Sequence, residues 1–380
     1  MNVPNEKSPR LRAQTTALHA RAMAFARCSL SLLLICSIGS KVQAETVGVN
    51  AHLSWVVGEK ELTLSSNVSE PVRVAMAAVG GPNVQAKKTE FPTTRDAWQA
   101  TADAHSAANQ VTLAFLNQKF GVRVQRKKIA GVGVHDISPV EPTIEGESYV
   151  FIHLHGGGYL FGGGAMGAAE GAAIAAVTGL RVISVDYSLL PQSPFPAALN
   201  DVVAVYRALA EQFGPANIAM GGSSAGGHLA LSTCHKLKAL DLELPKVLFL
   251  GTPLADLTHS GDTVVTNEGI DNVIGTFQGF HGKLQALFAN GQDLNDPLIS
   301  PLLGDFTGFP ATYLVSGTRD ILLSDTVRVH LKLRRANIPA DLIVFEGLPH
   351  GAYAAVPNSP EFDMAYGGLN TFLQQHLRKP

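Results

Sequence analysis

The sequence is poor in charged residues and in cysteine. Only 16% of its 380 residues are Asp, Glu, Lys or Arg, and the formal net charge is −2. A nearly neutral chain gives no argument for a nucleic acid or an anionic membrane surface as a partner. Two of the three cysteines, Cys28 and Cys36, lie in the first 44 residues, so a chain without that segment keeps only Cys234. An internal disulfide is then excluded, and we interpret Cys234 as a small core residue.

The amino terminus has an apolar run, Cys28–Ile38, which is too short to span a bilayer as a helix. Arg21 and Arg27 precede this run, and a small residue, Ala44, suits a cleavage site. We therefore expect residues 1–44 to be a signal peptide and the mature chain to be exported, periplasmic or secreted, without stable membrane insertion. The alternative is an uncleaved membrane anchor.

Residues 45–120 carry the fewest signals in the chain. Within them, Asp96–Phe120 has the apolar spacing of one or two amphipathic helices. We interpret 45–120 as a lead segment that forms an N-terminal helical cap over an active-site mouth. A linker, or a packing element on the back of a sheet, is the alternative.

From residue 121 onwards the pattern predicts strands that alternate with helices. A hairpin followed by such alternation is typical of an α/β fold, with a mostly parallel, doubly wound sheet of eight strands in a catalytic domain spanning 121–380. Chemistry in such sheets lies beyond the carboxyl ends of the strands. The predicted strands are 122–126, 133–137, 149–154, 181–185, 217–220, 246–250, 311–315 and 341–345, and the predicted helices lie near 165–178, 197–213, 228–237, 325–336 and 362–376.

The stretch Gly222–Gly227 is the motif around which the domain is organised. It reads Gly-Ser-Ser-Ala-Gly-Gly between a short apolar strand and a helical pattern. A turn this sharp leaves no room for a β-carbon at Gly222 or Gly226, and it raises the Ser224 hydroxyl above the sheet edge. The pattern predicts a nucleophile at Ser224; a plain glycine turn is the alternative reading.

Two later strand ends supply partners for this serine. Asp320 follows strand 311–315, and His350 follows strand 341–345, so both loops lie at the same edge. Serine needs an imidazole to take its proton, and the imidazole needs a carboxylate to fix its tautomer. The predicted triad is therefore Ser224, Asp320 and His350.

Three other titratable side chains compete for these two roles, and each has a plainer interpretation. His330 lies inside a predicted helix, His281 follows no strand, and Asp325 begins a helix and has the place of a cap.

Glycines also follow the strand 149–154, in the run from His155 to Gly158. They let backbone N–H groups approach a substrate oxygen, as an oxyanion hole requires. We assign the N–H groups of Gly157, Gly158 and Ala225 to this role and a loop-holding hydrogen bond to His155. A flexible glycine turn is the alternative, and a phosphate-binding loop is excluded because no Gly-Lys-Ser/Thr follows.

Together these motifs resemble the hormone-sensitive-lipase-like family of α/β-hydrolases, in its bacterial esterase branch. The glycine run 155–158 precedes the motif 222–227 as in that family, and the segments 186–198 and 296–302 resemble two more of its motifs. Ser188, Gln192 and Ser223 depart from the family pattern, in which arginine and an acid are usual at the first two positions and Asp, Glu or Thr is frequent at the third. The resemblance implies an N-terminal helical cap, no cofactor, and hydrolysis of esters with short acyl chains.

The sequence thus predicts a serine carboxylesterase that acts through an acyl-enzyme on a small-molecule ester, with no cofactor and no metal. The same machinery would also suit an amidase, a deacetylase or a lactonase. A third alternative is a small-molecule binding protein that keeps the fold without catalysis. A homodimer is left open.

Overall fold

The computed structural model describes residues 61–81, 91–140 and 148–378. The predicted signal peptide, residues 1–44, lies outside the described residues. The described residues from 63 onwards belong to one compact unit. Within the part of the chain that is described, no helix has the length and apolar character needed to cross a membrane.

An eight-stranded sheet forms the centre of this unit, in the order β1-β2-β4-β3-β5-β6-β7-β8. Strand β2 pairs antiparallel with β1 and β4, and all the other pairs are parallel. The predicted mostly parallel sheet of eight strands is confirmed. The strands are β1 Val122–Ile129, β2 Val132–Pro139, β3 Val150–Leu154, β4 Arg181–Val185, β5 Ile218–Ser223, β6 Val247–Gly251, β7 Ala311–Gly317 and β8 Ala340–Phe345.

The central strands are buried on both faces because nearly every side chain along them is apolar. In β3, for example, Val150, Ile152 and Leu154 pack into one core, and Phe151 packs into the core on the opposite face. This alternation follows from the two-residue period of a strand. Burial on both faces is typical of parallel sheets that helices cover on each side.

The helices of the described part of the chain form a layer on each face of this sheet. Five of them, which include the helix that follows β5, contribute buried side chains to the core with Ile152, and four contribute to the core with Phe151. The helices are α1 Glu70–Val79, α2 Arg95–Ala108, α3 Leu113–Phe120, α4 Ala168–Thr178, α5 Ala197–Phe213, α6 Ala225–Ala239, α7 Thr263–Thr266, α8 Phe280–Ala289, α9 Leu323–Arg335 and α10 Pro360–His376.

The segment predicted as one or two helices forms two, and they lie in different places. Trp98 of α2 is buried, and its ring centroid lies 5.1 Å from that of Phe280 in α8. Leu116 of α3 is buried in the core on the opposite face of the sheet, with Val124 of β1. Of these two helices, α2 is therefore the one that reaches the segment between β6 and β7. That segment contains α7 and α8, neither of which is among the predicted helices.

Candidate active site

Ser224 lies at the sharp turn between β5 and α6. Its φ of 59° is in the left-handed region that side chains rarely adopt. A β-carbon on either Gly222 or Gly226 would collide with the carbonyl oxygen of Leu154. The two glycines are thus a steric requirement of the turn, as the sequence predicts. The backbone N–H of Ser224 donates to the carbonyl of Gly251 over 2.8 Å, which fixes the turn against β6.

Asp320 and His350 are brought together from the loops after β7 and β8. Asp320 is fully buried, and its Oδ1 lies 3.1 Å from Nδ1 of His350. The other carboxylate oxygen accepts a hydrogen bond of 2.8 Å from the Ser316 hydroxyl, and the N–H of Leu322 donates to Oδ1 over 2.9 Å. Since Nδ1 faces the carboxylate, Nε2 of His350 is the nitrogen that remains to accept a proton.

Opposing effects act on the pKa of His350, and their net result is a pKa above the ordinary value of 6.5. Burial lowers this pKa because a buried charge is poorly solvated. The charge of Asp320 and its hydrogen bond raise it, and the charge of Asp271 raises it further. The two carboxylates outweigh burial, so the protonated imidazole is stabilised at this site.

Ser224 and His350 line one cavity of about 210 Å³. Most of its other walls are apolar, and many come from the segment between β6 and β7. This places the hydroxyl and the imidazole at a site that a small apolar ligand can enter. The remaining lining residues are Gly157, Gly158, Tyr159, Phe161, Leu254, Val273, Ile274, Phe277, His281, Leu284, Gln285, Phe288 and Leu322.

The glycine loop after β3 forms another wall of this cavity. Gly157 and Gly158 have φ angles of 108° and 60°, and a β-carbon on Gly158 would lie 2.7 Å from a methyl carbon of Leu284. Within the described residues, neither glycine N–H donates a hydrogen bond to a protein acceptor. The N–H of Ala225 belongs to the first turn of α6, where helical N–H groups have no partner inside the helix.

His155 lies in this loop, and it makes the loop-holding hydrogen bond that the sequence predicts. Its Nδ1 donates to the carbonyl of Gly156 over 2.7 Å, and its ring stacks on Tyr187 at a centroid distance of 4.1 Å. Burial lowers the pKa of His155 to about 4, so the ring is neutral at pH 7. A neutral, stacked ring that donates to its own loop holds that loop in place.

A largely buried carboxylate that the sequence motifs do not indicate, Glu170 of α4, lies behind the turn that carries Ser224. It accepts hydrogen bonds from the backbone N–H of Ser223 over 3.2 Å, from the Ser223 hydroxyl, and from the Tyr366 hydroxyl over 3.1 Å. Nε2 of His153 lies 3.0 Å from the same carboxylate. One signal was available, since Glu170 is the single charged residue in the alanine-rich helix α4.

The three side chains that compete for the roles of Asp320 and His350 make other contacts. His330 lies 3.3 Å from the carbonyl of Ala340. His281 lines the cavity, and burial lowers its pKa to about 4. The interpretation of Asp325 as a helix cap is wrong. The capping position of α9 is Leu322, and the Asp325 carboxylate instead accepts the N–H groups of two residues in the segment after β6, Ala255 and Asp256.

Within the described residues, one group of side chains has the spacing of metal ligands. Donor atoms of Asp271, Asp320 and His350 lie within 4.8 Å of one another. Asp320 and His350 are already hydrogen-bonded to each other, and Asp271 accepts three backbone N–H groups. These donor atoms are therefore engaged within the protein.

Comparisons with known proteins agree with this fold. A family model described as alpha/beta hydrolase fold matches residues 151–354, more than half of the chain. The crystal structure of an esterase, E25, is 40% identical and has a TM-score of 0.80, covering 86% of this chain and 99% of its own. The structure of an esterase from the bacterial hormone-sensitive lipase family is 27% identical with a TM-score of 0.68, covering 82% of this chain and all of its own.

A curated relative from Acinetobacter venetianus, an esterase, is 28% identical over 228 residues, which are 60% of this chain and 74% of that protein. The chain belongs to the α/β-hydrolase fold family, in its hormone-sensitive-lipase-like branch. It is a hydrolase of the carboxylesterase- and lipase-like class.

Proposed function

We propose that the protein hydrolyses carboxylic esters with Ser224 as nucleophile, His350 as general base and Asp320 as the carboxylate that orients His350. The observation that carries this proposal is the 3.1 Å contact between Asp320 and Nδ1 of His350, at a cavity that Ser224 also lines. The contact leaves Nε2 of His350 free to take the serine proton, as the mechanism of a Ser-His-Asp triad requires.

The reaction has two halves. His350 removes the proton of Ser224 as the hydroxyl oxygen attacks the ester carbonyl, and it then gives that proton to the departing alcohol. Water repeats the sequence on the acyl-enzyme and releases the acid. Asp320 and the raised pKa of His350 support this role, because the imidazole carries a positive charge after each proton uptake.

The N–H groups of Gly157, Gly158 and Ala225 are the donors that we assign to the oxyanion. The supporting observations are the left-handed conformation of both glycines and the position of Ala225 at the start of α6. A helix N-terminus favours negative charge nearby, and fixed donors at a developing oxyanion account for several kcal/mol of transition-state stabilisation.

The size and walls of the cavity favour short acyl chains. A volume of about 210 Å³ lies below the range typical of sites for drug-sized ligands. Phe161, Leu254 and Leu284 give the walls an apolar character suited to an alkyl group. We therefore propose acetyl to butanoyl esters as the substrate class.

The serine is tested by Ser224→Ala with p-nitrophenyl acetate as substrate. We expect turnover to fall by several orders of magnitude, on the order of 10⁶ from the precedent of serine proteases. The proposal is wrong if purified Ser224→Ala protein keeps the wild-type rate. A fluorophosphonate probe distinguishes the catalytically inactive alternative, because it labels the intact enzyme only where the serine is activated.

The bond that is cleaved needs a separate assay. An amidase, a deacetylase and a lactonase would share the nucleophile and the oxyanion donors. Paired assays of an ester, its amide analogue and a lactone measure the preference, and we expect kcat/KM to be highest for the ester.

Export also stays a proposal, which rests on the sequence of residues 1–44 and is tested by the amino-terminal sequence of the mature protein.

A further inference from the structure

A second buried carboxylate lies beside the pair formed by Asp320 and His350. Asp271 is completely buried, and one of its oxygens lies within 4.8 Å of a ring nitrogen of His350 and of an oxygen of Asp320. It comes from the segment between β6 and β7, whereas the other two residues follow β7 and β8. Nothing in the mechanism above uses it.

The carboxylate of Asp271 is held in place by the backbone. Oδ1 accepts the N–H groups of Val273 over 2.8 Å and Ile274 over 3.2 Å. Oδ2 accepts the N–H of Ile321, the residue after Asp320, over 3.0 Å. Val273 and Ile274 line the cavity, so this one side chain ties the cavity wall to the loop that carries Asp320.

A carboxylate at this distance stabilises a positively charged imidazole. An opposite charge within about 4–6 Å shifts a buried pKa by roughly one to three units towards the charged form. Asp271 acts on the pKa of His350 in this direction, in addition to Asp320. The pKa of Asp271 itself is raised, because burial disfavours its charge and the Asp320 carboxylate repels it, although His350 opposes both effects.

We propose that Asp271 is a positioning residue of the reaction: it stabilises the imidazolium of His350 together with Asp320, and it anchors the Asp320 loop to the cavity wall. This inference rests on the proposed function. His281 of α8 is another titratable group that lines this cavity, and it is neutral above about pH 5 because burial, together with the charge of His350, lowers its pKa to about 4. Asp320 and Asp271 therefore supply the negative charge around the imidazole.

Asp271→Asn tests this role, because asparagine keeps an oxygen for the N–H groups of Val273 and Ile274 and removes the charge. The measurement is kcat/KM for p-nitrophenyl acetate from pH 5 to 9. We expect the midpoint of the acidic limb to move down by about one unit, and kcat at the plateau to fall about tenfold. Unfolding of a less stable variant at low pH would move the apparent midpoint up, so a loss of protein stability does not mimic a downward shift.

Asp262→Asn is the matched control, since it removes the same charge from an exposed position of the same segment. We expect its midpoint to equal that of the wild type. Asp271→Glu restores the charge and should bring the midpoint back towards the wild-type value. A midpoint unchanged in Asp271→Asn, with activity lowered or not, overturns the inference and leaves the proposed function intact, whereas an active Ser224→Ala protein overturns the proposed function itself.

Discussion

The carboxylate of Glu170 accepts hydrogen bonds from both the backbone N–H and the hydroxyl of Ser223, the residue directly before Ser224. The family that the sequence resembles often has Asp, Glu or Thr at the position of Ser223. In this chain the carboxylate comes from a helix on the face opposite to α6 and reaches the same turn. Burial raises the pKa of Glu170, but hydrogen bonds from His153, Ser223 and Tyr366 outweigh burial and lower it overall.

Glu170→Gln should lower the free energy of unfolding by about 1–3 kcal/mol, because the amide nitrogen faces donors that need an acceptor. We expect kcat to fall as well, since the turn that presents Ser224 loses its support. Urea unfolding and ester hydrolysis measure the two effects. Glu211→Gln, an exposed change on α5, is the control. A Glu170→Gln protein as stable as that control would show that the buried carboxylate has no structural role.

The glycines of the turn that carries Ser224 allow a paired experiment. Gly226→Ala places a methyl group against the carbonyl oxygen of Leu154, so we expect loss of activity and a marked loss of stability. Gly367→Ala places the same methyl group on α10 with no atom within 4 Å, and it should stabilise the protein by up to about 1 kcal/mol. Thermal unfolding of the two variants measures the contrast, and equal melting temperatures would argue against a steric requirement at Gly226.

The raised pKa of His350 makes a pH-dependent prediction. The general base must be neutral, so kcat/KM should fall as the pH drops through a midpoint above 6.5. Asp320→Asn removes the charge that raises this pKa, so the midpoint of its residual activity should lie below that of the wild type. An equal or higher midpoint in Asp320→Asn would contradict the assignment of Asp320 as the partner of His350.

Acyl-chain selectivity should depend on Leu284, which packs against Gly158 in the cavity. Leu284→Ala enlarges the cavity, so kcat/KM for p-nitrophenyl octanoate should rise at least severalfold relative to the acetate. The matched change Leu331→Ala removes a half-exposed side chain from α9, outside the cavity, and should leave the ratio unchanged. If both variants keep the wild-type ratio, Leu284 does not limit the acyl site.

Asp325 should make the protein less stable as the pH rises. Burial raises its pKa to about 7, well above the ordinary 3.8, although two backbone N–H groups oppose the shift. The native state therefore binds a proton more tightly than the unfolded chain, and its contribution to stability is present below about pH 4 and is lost as the pH rises to about 7. Asp325→Asn should remove this part of the pH dependence, as measured by unfolding at pH 4 to 8. An unchanged slope would show that Asp325 titrates normally.

The sequence predicts the strands of the sheet well because the signals for each strand lie in neighbouring residues. Two-residue alternation marks the strands, and the paired glycines around Ser224 mark the turn that follows β5. Since parallel strands end at one edge, the pattern also predicts that Asp320 and His350 approach each other, which the hydrogen bond between them agrees with. These inferences need only neighbouring residues and the rule for strand ends.

The remaining features depend on contacts between distant residues. Glu170 reaches Ser223 across 53 positions, and Asp271 reaches Ile321 across 50. Helix α8 has apolar residues at helical spacing, but its place beside the cavity depends on contacts with distant residues such as Trp98 of α2. The role of Asp325 depends on a distant contact in the same way, because its carboxylate accepts a hydrogen bond from Ala255 in another loop.

Residues 273–288 form much of the cavity lining, and this stretch carries none of the three proposed triad residues. If the proposed function is correct, reactivity and acyl selectivity are encoded in separate parts of the gene. A library randomised only within that stretch should yield enzymes with new acyl preferences that still react with a fluorophosphonate, whereas randomising the strand ends should mostly yield inert proteins.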